Sequence, residues 1–156
     1  MHPLLVVILG CQPHVAPVAA TPTVAPALPD DRREFWRGVV ADGPPDGVDL
    51  DPLADELVGY LGVPDPEIRD GLGYEVLAQW IDGRLAPESL RRLTALLYQG
   101  LDGDDVLRRS FSALTLAAIA GRELEAPFLT DEELADMVQR AASYAERETD
   151  LRGYEG

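Results

Sequence analysis

Apolar side chains recur every three or four positions from residue 30 onward, with charged residues between them. This spacing is typical of amphipathic helices, and the alternation that would predict strands is missing from the pattern. Six such stretches follow one another, separated by short turns rich in Gly, Pro or Asp. Because short turns place neighbouring helices antiparallel, the pattern predicts an all-α fold of helical hairpins.

Capping signals predict where these helices begin. We expect helix starts at Asp31, at Asp51 with Pro52, at Asp65 with Pro66, at Pro87, at Asp104, and at Thr130, where Glu133 completes a capping box. The third helix contains two glycines, Gly71 and Gly73. Each costs about 1 kcal/mol relative to alanine, so we expect that helix to be locally weak.

The apolar stripe of each helix predicts its core side chains. The predicted core residues of the first five helices are Phe35, Trp36, Val39 and Val40; Leu53, Leu57, Tyr60 and Leu61; Ile68, Leu72, Val76, Leu77, Trp80 and Ile81; Leu90, Leu93, Leu96 and Leu97; Leu107, Phe111, Leu114 and Ala118. The apolar stripe of the sixth helix consists of Leu134, Met137, Val138 and Ala141. An aromatic ligand site built from Trp36, Trp80, Tyr60 and Tyr74 is the alternative, but their helical spacing favours the core.

Two segments of the chain can be aligned as copies of one repeat. In "LVGYLGVPDPEIRDGLGYEVL" and "LLYQGLDGDDVLRRSFSALTL", Asp65 aligns with Asp104 and Arg69 with Arg108, at an offset of 39 to 40 residues. This is the period of two-helix HEAT-type repeats. We therefore expect a HEAT/armadillo-like α-solenoid.

The aligned acids and arginines have a structural interpretation. The acid can cap the second helix of a repeat while the arginine reaches a neighbouring turn. Asp150 and Arg152 stand at the corresponding place of a third repeat, so the interpretation predicts a solenoid that is truncated in its third repeat. The stripe of the sixth helix would then be partly exposed.

The charge of the chain excludes several partners. It has 28 acidic and 13 basic residues, no lysine, and a formal net charge of -15. Nucleic-acid binding needs basic side chains to neutralise phosphates, and an anionic membrane surface would repel this protein. The single cysteine, Cys11, rules out an intramolecular disulfide.

The N-terminus has the pattern of an export signal. An apolar run from Leu4 to Leu9 is too short to span a bilayer, which takes about 20 residues, and it ends at Gly10 and Cys11. The stretch Ile8 to Cys11 resembles the lipobox of bacterial lipoproteins, which implies lipidation of Cys11. We therefore divide the chain into a signal peptide (1–10), an Ala/Pro-rich tether (11–29) and a helical domain (30–156). The resemblance to bacterial lipoproteins also implies, from Gln12 after the cysteine, a place at the periplasmic face of the outer membrane.

Three short motifs resemble a bacterial family of uncharacterised proteins, domain of unknown function 2785. They are "RDGLGY", with Arg69, Asp70 and Tyr74; "RRSFSAL", with Arg109, Ser110, Phe111, Ser112 and Leu114; and "DLRGY", with Asp150, Leu151, Arg152, Gly153 and Tyr154. The resemblance runs from about Phe35 to Tyr154. It also implies a following segment with Gly-Trp and paired histidines, which this chain lacks.

The sequence holds little that predicts catalysis or cofactor binding. His2 and His14 are the histidines of the chain, so the helical domain lacks the commonest general base and metal ligand. Ser110 and Ser112 fit ordinary helix-face hydroxyls, and the acids at 102–105 and 131–133 fit helix N-termini rather than a calcium loop. We expect no catalytic residues, metal or cofactor.

The functional prediction is a membrane-tethered scaffold that binds an unknown protein or peptide. The exposed C-terminal edge also permits a different partner, namely a second copy of this chain. The alternative is a truncated or decayed member of an enzyme or metal-binding family whose histidine site is absent here.

Overall fold

The computed structural model of the chain describes residues 28–150, and within this range the regular structure is helical. The helices are α1 (Asp30–Asp42), α2 (Leu50–Tyr60), a π-helical segment (Glu67–Tyr74) that continues as α3 (Glu75–Ile81), α4 (Pro87–Leu101), α5 (Val106–Glu125) and α6 (Asp131–Arg147). The predicted all-α class and the order of the predicted helices are therefore confirmed for residues 28–150.

The third predicted helix differs from a regular α-helix in its first half. The backbone N–H of Glu75 donates to the carbonyl of Asp70, five residues earlier, which is the bond of a π-helix. Gly73 lies in this segment, and a β-carbon there would be 3.2 Å from Leu61 Cδ2 and 3.3 Å from Tyr60 Cβ. The glycine therefore lets the widened segment approach α2 closely.

Two predicted helix starts are confirmed and two are wrong by one or two residues. Pro87 occupies the first turn of α4, and Thr130 and Glu133 form a complete capping box on α6. The cap of α2 is Asp49, whose carboxylate accepts from the N–H of Asp51 over 3.0 Å, so the predicted cap at Asp51 is wrong. Similarly, α5 is capped by Asp105 instead of Asp104.

The core runs through all the helices and is close to the predicted one. Trp36, Leu57, Leu77, Leu93 and Leu97 are fully or almost fully buried. The prediction is wrong for Val40, which is 59 % exposed, and for Leu114, which is 37 % exposed.

The two errors arise from choosing the wrong face of a helix. On α5 the inward face carries Ser112, Thr115 and Ile119, all with 0 % exposure, so Leu114 points outward. On α1 the buried side chains are Trp36 and Val39, which lie four residues and one residue before Val40, respectively.

The helices pack in a regular order. Helix α2 contacts both α3 and α4, and α5 contacts both α4 and α3. None of the helices described between residues 28 and 150 combines the length and apolar composition needed to cross a membrane.

Candidate functional site

The first two sequence motifs meet in space. The Arg69 guanidinium donates to both oxygens of Asp70, over 2.7 and 3.2 Å, and lies 4.8 Å from the centre of the Phe111 ring. Tyr74 packs edge-to-face on the same ring at 6.3 Å. Thus Arg69, Asp70 and Tyr74 of the first motif form one cluster with Phe111 of the second.

The turns before these motifs are equivalent at a uniform offset of 40 residues. Arg69 Nη1 donates to the carbonyl of Pro64 over 3.3 Å, and Arg109 Nη1 donates to the carbonyl of Asp104 over 2.8 Å. The backbone N–H groups of Arg69 and Arg109 donate to the backbone carbonyls of Asp65 and Asp105, respectively. Asp65 therefore corresponds to Asp105 and Arg69 to Arg109, so the aligned pairing with Asp104 and Arg108 is wrong by one residue.

Arg108 instead reaches back to the preceding hairpin. Its Nη1 donates to the carbonyl of Gly59 over 3.4 Å. Burial lowers the pKa of Arg108, because the charged guanidinium is removed from water. This hydrogen bond links α5 to the C-terminal end of α2.

A polar patch is buried near Arg108, where α4 and α5 meet. Ser110 and Ser112 are 1 % and 0 % exposed. Their hydroxyls and the Nε of Arg108 have no hydrogen-bond partner among the residues 28–150. Both serines were expected on an ordinary helix face, but Ser112 lies against Gly100, which has no side chain to keep the helices apart.

The second motif also reaches the start of the third. Arg109 Nε donates to Glu148 Oε2 over 2.7 Å, and the backbone N–H of Asp150 donates to Glu148 Oε1 over 2.9 Å. These bonds hold the pKa of Glu148 below its ordinary value, since they stabilise the carboxylate. Leu151, Arg152, Gly153 and Tyr154 of the third motif lie outside the described residues, as does Cys11.

The second and third motifs fall in the part of the chain that is similar to a known family. Residues 98–156 match the family described as Protein of unknown function (DUF2785). The match confirms the family resemblance over this range, whereas the motif at Arg69, Asp70 and Tyr74 precedes it. No curated protein and no solved structure matches the chain.

The DUF2785 segment, residues 98–156, contains an open apolar groove between α5 and α6. We call it the α5–α6 groove. It encloses about 310 Å³, and its larger lining side chains are those of Leu101, Leu116, Leu134, Met137, Val138 and Tyr144. Four alanines complete the lining: Ala113, Ala117, Ala120 and Ala141. Every one of these residues lies within the DUF2785 segment.

The apolar stripe of α6 is largely uncovered in this groove. Val138 is 62 % exposed and Leu134 is 39 % exposed, while Met137 is buried at 5 %. Ala141 is exposed as well. The predicted exposure of the stripe is therefore confirmed for three residues and wrong for Met137, which packs into the core.

Charged groups on the face of α6 that also carries Met137 link this helix to α4. The Arg140 guanidinium lies 4.5 Å from the centre of the Tyr98 ring and 3.4 Å from Asp102. Arg91 pairs with Glu133 at 3.5 Å, and Arg147 pairs with Asp102 at 3.6 Å. An amphipathic helix normally turns its apolar face inward, but α6 has charges on the packed side and aliphatic side chains in the open groove.

A second polar cluster joins α1 to α2, and sequence reasoning missed its centre, Glu56. The Glu56 carboxylate accepts from Arg32, from the Trp36 indole over 3.1 Å and from the Tyr60 hydroxyl. Burial opposes ionisation, but these donors outweigh it and lower the pKa of Glu56. Burial and the neighbouring carboxylate raise the pKa of Tyr60 to about 12. The four-residue spacing of Glu56 and Tyr60 was the available signal.

The aromatic residues do not form an open ligand site. Trp36 and Trp80 are 0 % and 2 % exposed and lie 6.1 Å apart, so they belong to the core. Between residues 28 and 150, no group of three or more His, Cys, Asp or Glu residues is arranged to hold a metal ion.

Proposed function

We propose that this protein is a binding module whose α5–α6 groove receives an apolar segment of another protein. One observation carries the proposal: α6 is linked to α4 by charged groups and leaves Leu134, Val138 and Ala141 in an open groove. Contiguous exposed apolar surface of this kind is typical of protein interaction sites.

The lining of the groove suits a helical segment. Its alanines are short, so the backbone of a bound helix can approach α5 and α6 closely, while Leu134 and Val138 supply aliphatic contacts. Helices commonly bind in grooves of this type through side chains at positions i, i+3, i+4 and i+7. The groove lies wholly in the DUF2785 segment, which supports a role shared with that family.

A HEAT-like repeat architecture is part of the proposal. The equivalent turns at Asp65 and Asp105 and the stacking of α2 on α4 and of α3 on α5 support it. Solenoids of helical hairpins present extended surfaces for partners, and the α5–α6 groove would be one such surface.

We further propose that the protein is a lipoprotein, anchored through Cys11 and held away from the membrane by residues 11–29. The support is the lipobox-like sequence and the spacing of prolines after it. Metabolic labelling with a radioactive fatty acid should mark the wild type and leave Cys11→Ala unlabelled. Label on both proteins would contradict the anchor without bearing on the groove.

Site-specific photo-crosslinking tests the groove. A photoreactive amino acid at Val138 of the full chain, expressed in its native host, should give a discrete protein adduct. The same substitution at Val40 is a matched control, because both are exposed helical valines, at 62 % and 59 %. Adducts of equal yield at both positions, or none at Val138, would contradict the proposal.

A further inference from the structure

We propose that the occupant of the α5–α6 groove is an amphipathic helix of a different protein that carries Lys or Arg at one end of its apolar stripe. This inference rests on the proposed function and adds the chemistry of the partner. It predicts which end of the groove the basic residues contact.

The two ends of the groove differ in charge. Beyond Ala120 and Leu134 lie three exposed carboxylates, Glu125, Asp131 and Glu132, which we call the acidic end. None of the three forms an ion pair with another residue of the 28–150 range.

Helix geometry places the acidic end next to the apolar lining. Asp131 is three residues from Leu134, so the two share one face of α6. Glu125 is the last residue of α5 and Asp131 is the first residue of α6, so opposite ends of the two helix dipoles meet here and the negative potential comes from the carboxylates themselves. A cation on the bound helix would meet this potential while its stripe lies in the groove.

The opposite end of the groove carries acidic and basic side chains together, since Arg147 pairs with Asp102 there beside the exposed Asp104. There, beyond Ala113 and Tyr144, Arg109 and Glu148 neutralise each other in an ion pair. The difference between the ends gives a bound helix a preferred direction, since complementary charge fixes register and orientation at interfaces.

A second copy of this chain fits the site less well. Each copy carries a formal net charge of -15, and its own α6 begins with Asp131, Glu132 and Glu133. Like charges brought together across an interface oppose binding. Self-association is therefore an outcome that the experiment must detect.

The test uses designed helical peptides that share one Leu/Ala stripe and differ at their ends. Three peptides carry three Lys at the N-terminal end, three Lys at the C-terminal end, or three Glu in place of Lys. Binding to the full chain is measured by fluorescence anisotropy. We expect one Lys peptide to bind about tenfold more tightly than the Glu peptide, because each close charge pair contributes.

Two triple variants of the protein locate the effect. The triple variant Glu125→Gln, Asp131→Asn and Glu132→Gln should abolish the preference for Lys peptides. The peptides should still bind to it through their Leu/Ala stripe. Asp30→Asn with Asp31→Asn and Glu34→Gln removes the same charge from exposed positions on α1 and should keep the preference. Circular dichroism of each variant controls for folding.

Several results would overturn the inference. Equal affinity for Lys and Glu peptides, or equal loss of preference in both triple variants, would refute the basic partner and leave the groove as a binding site. A dimer of the chain alone that dissociates in Val138→Glu would identify a second copy as the occupant. If no peptide binds although Val138 gives adducts, the partner is not a helix of this kind; if adducts are missing too, the proposed function itself fails.

Discussion

The contact between α4 and α5 differs from the contact between α5 and α6. Leu93, Leu97 and Ile119 are fully buried where α4 meets α5, and Gly100 there lies against Ser112. By contrast, α6 buries one side chain, Met137, and its other contacts include several ion pairs and a cation–π contact. Both are pairs of amphipathic helices, so a hydrophobic stripe predicts that a helix will be covered without showing what covers it.

The largest expected effect on stability comes from truncating a side chain in the contact between α4 and α5. Leu93→Ala leaves a cavity among fully buried neighbours and should lower the free energy of unfolding by about 2–5 kcal/mol. Urea unfolding followed by circular dichroism measures this change.

Val138→Ala is the matched change in the second contact. The valine is mostly exposed, so the free energy of unfolding should change by less than about 0.5 kcal/mol. A loss similar to that of Leu93→Ala would mean that α6 is packed as tightly as α5 and would remove the basis of the proposed groove.

The fold was predictable where local chemistry decides it. The capping box of Thr130 and Glu133 is a short-range pattern, and Pro87 fixes a helix start by its own ring. Leu114 was misplaced because apolar residues surround α5, and the close approach of α4 at Gly100 selects the face with Ser112 and Thr115. That choice depends on a partner helix and cannot be derived from the spacing of one helix.

The register of the repeat and the orientation of the apolar stripe of α6 could not be predicted either, because both depend on contacts outside the helix itself. Two adjacent acids, Asp104 and Asp105, precede two adjacent arginines, so either pair could be aligned with Asp65 and Arg69. The equivalent hydrogen bonds of Arg69 to Pro64 and of Arg109 to Asp104 decide between them. Likewise, the stripe of α6 was recognisable, but the helix is turned so that Arg140 lies on Tyr98 and pairs with Asp102, which leaves Leu134 and Val138 in the groove.

Adding a methyl group between α4 and α5 should have the next largest effect on stability. A β-carbon at Gly100 would overlap the Ser112 hydroxyl and lie 3.0 Å from Arg108 Nε. Gly100→Ala should therefore destabilise the protein by about 1–3 kcal/mol through overpacking, as measured by urea unfolding.

Gly121→Ala, on the same α5 helix, provides the control. A β-carbon there meets nothing within 4 Å, so this change should stabilise the helix by up to about 1 kcal/mol. In addition, Ser112→Gly should recover part of the loss caused by Gly100→Ala. Equal stability of Gly100→Ala and the wild type would show that the α4–α5 contact is looser than its geometry indicates.

The α6 cap tests whether this helix unfolds separately from the rest. Thr130→Ala removes the capping hydroxyl and should cost about 1 kcal/mol, which corresponds to a roughly fivefold change in an equilibrium constant. Because α6 has few core contacts, hydrogen exchange should accelerate by about this factor in α6 and remain unchanged in α4. Thr149→Ala, beyond the end of α6, should change neither. Equal acceleration in both helices would make α6 part of one cooperative unit with α4.

The smallest effect concerns the ion pair that fastens the end of α6. Hydrogen bonds from Arg109 and from the backbone of Asp150 hold the pKa of Glu148 below its ordinary value of 4.5. A lowered carboxylate pKa means that the stabilisation is present at neutral pH and is lost as the pH falls through the lowered pKa. Glu133, whose pKa is also lowered, mainly through its bond from the Thr130 backbone, should add to this loss at the other end of α6.

Hydrogen exchange of α6 measured across this acidic range, after correction for the intrinsic rate, checks the pair. Protection of α6 should fall in the wild type as the pH drops below about 4.5, since that is where the paired carboxylates become protonated. Glu148→Gln should reduce protection at neutral pH and flatten the dependence, while Glu146→Gln, an exposed neighbour, should behave as the wild type. If Glu148→Gln left the profile unchanged, Arg109 would not fasten α6, and the burial of Met137 would have to account for its position. That outcome would make the two contacts differ in the amount of apolar burial alone, and not in the kind of force that holds them.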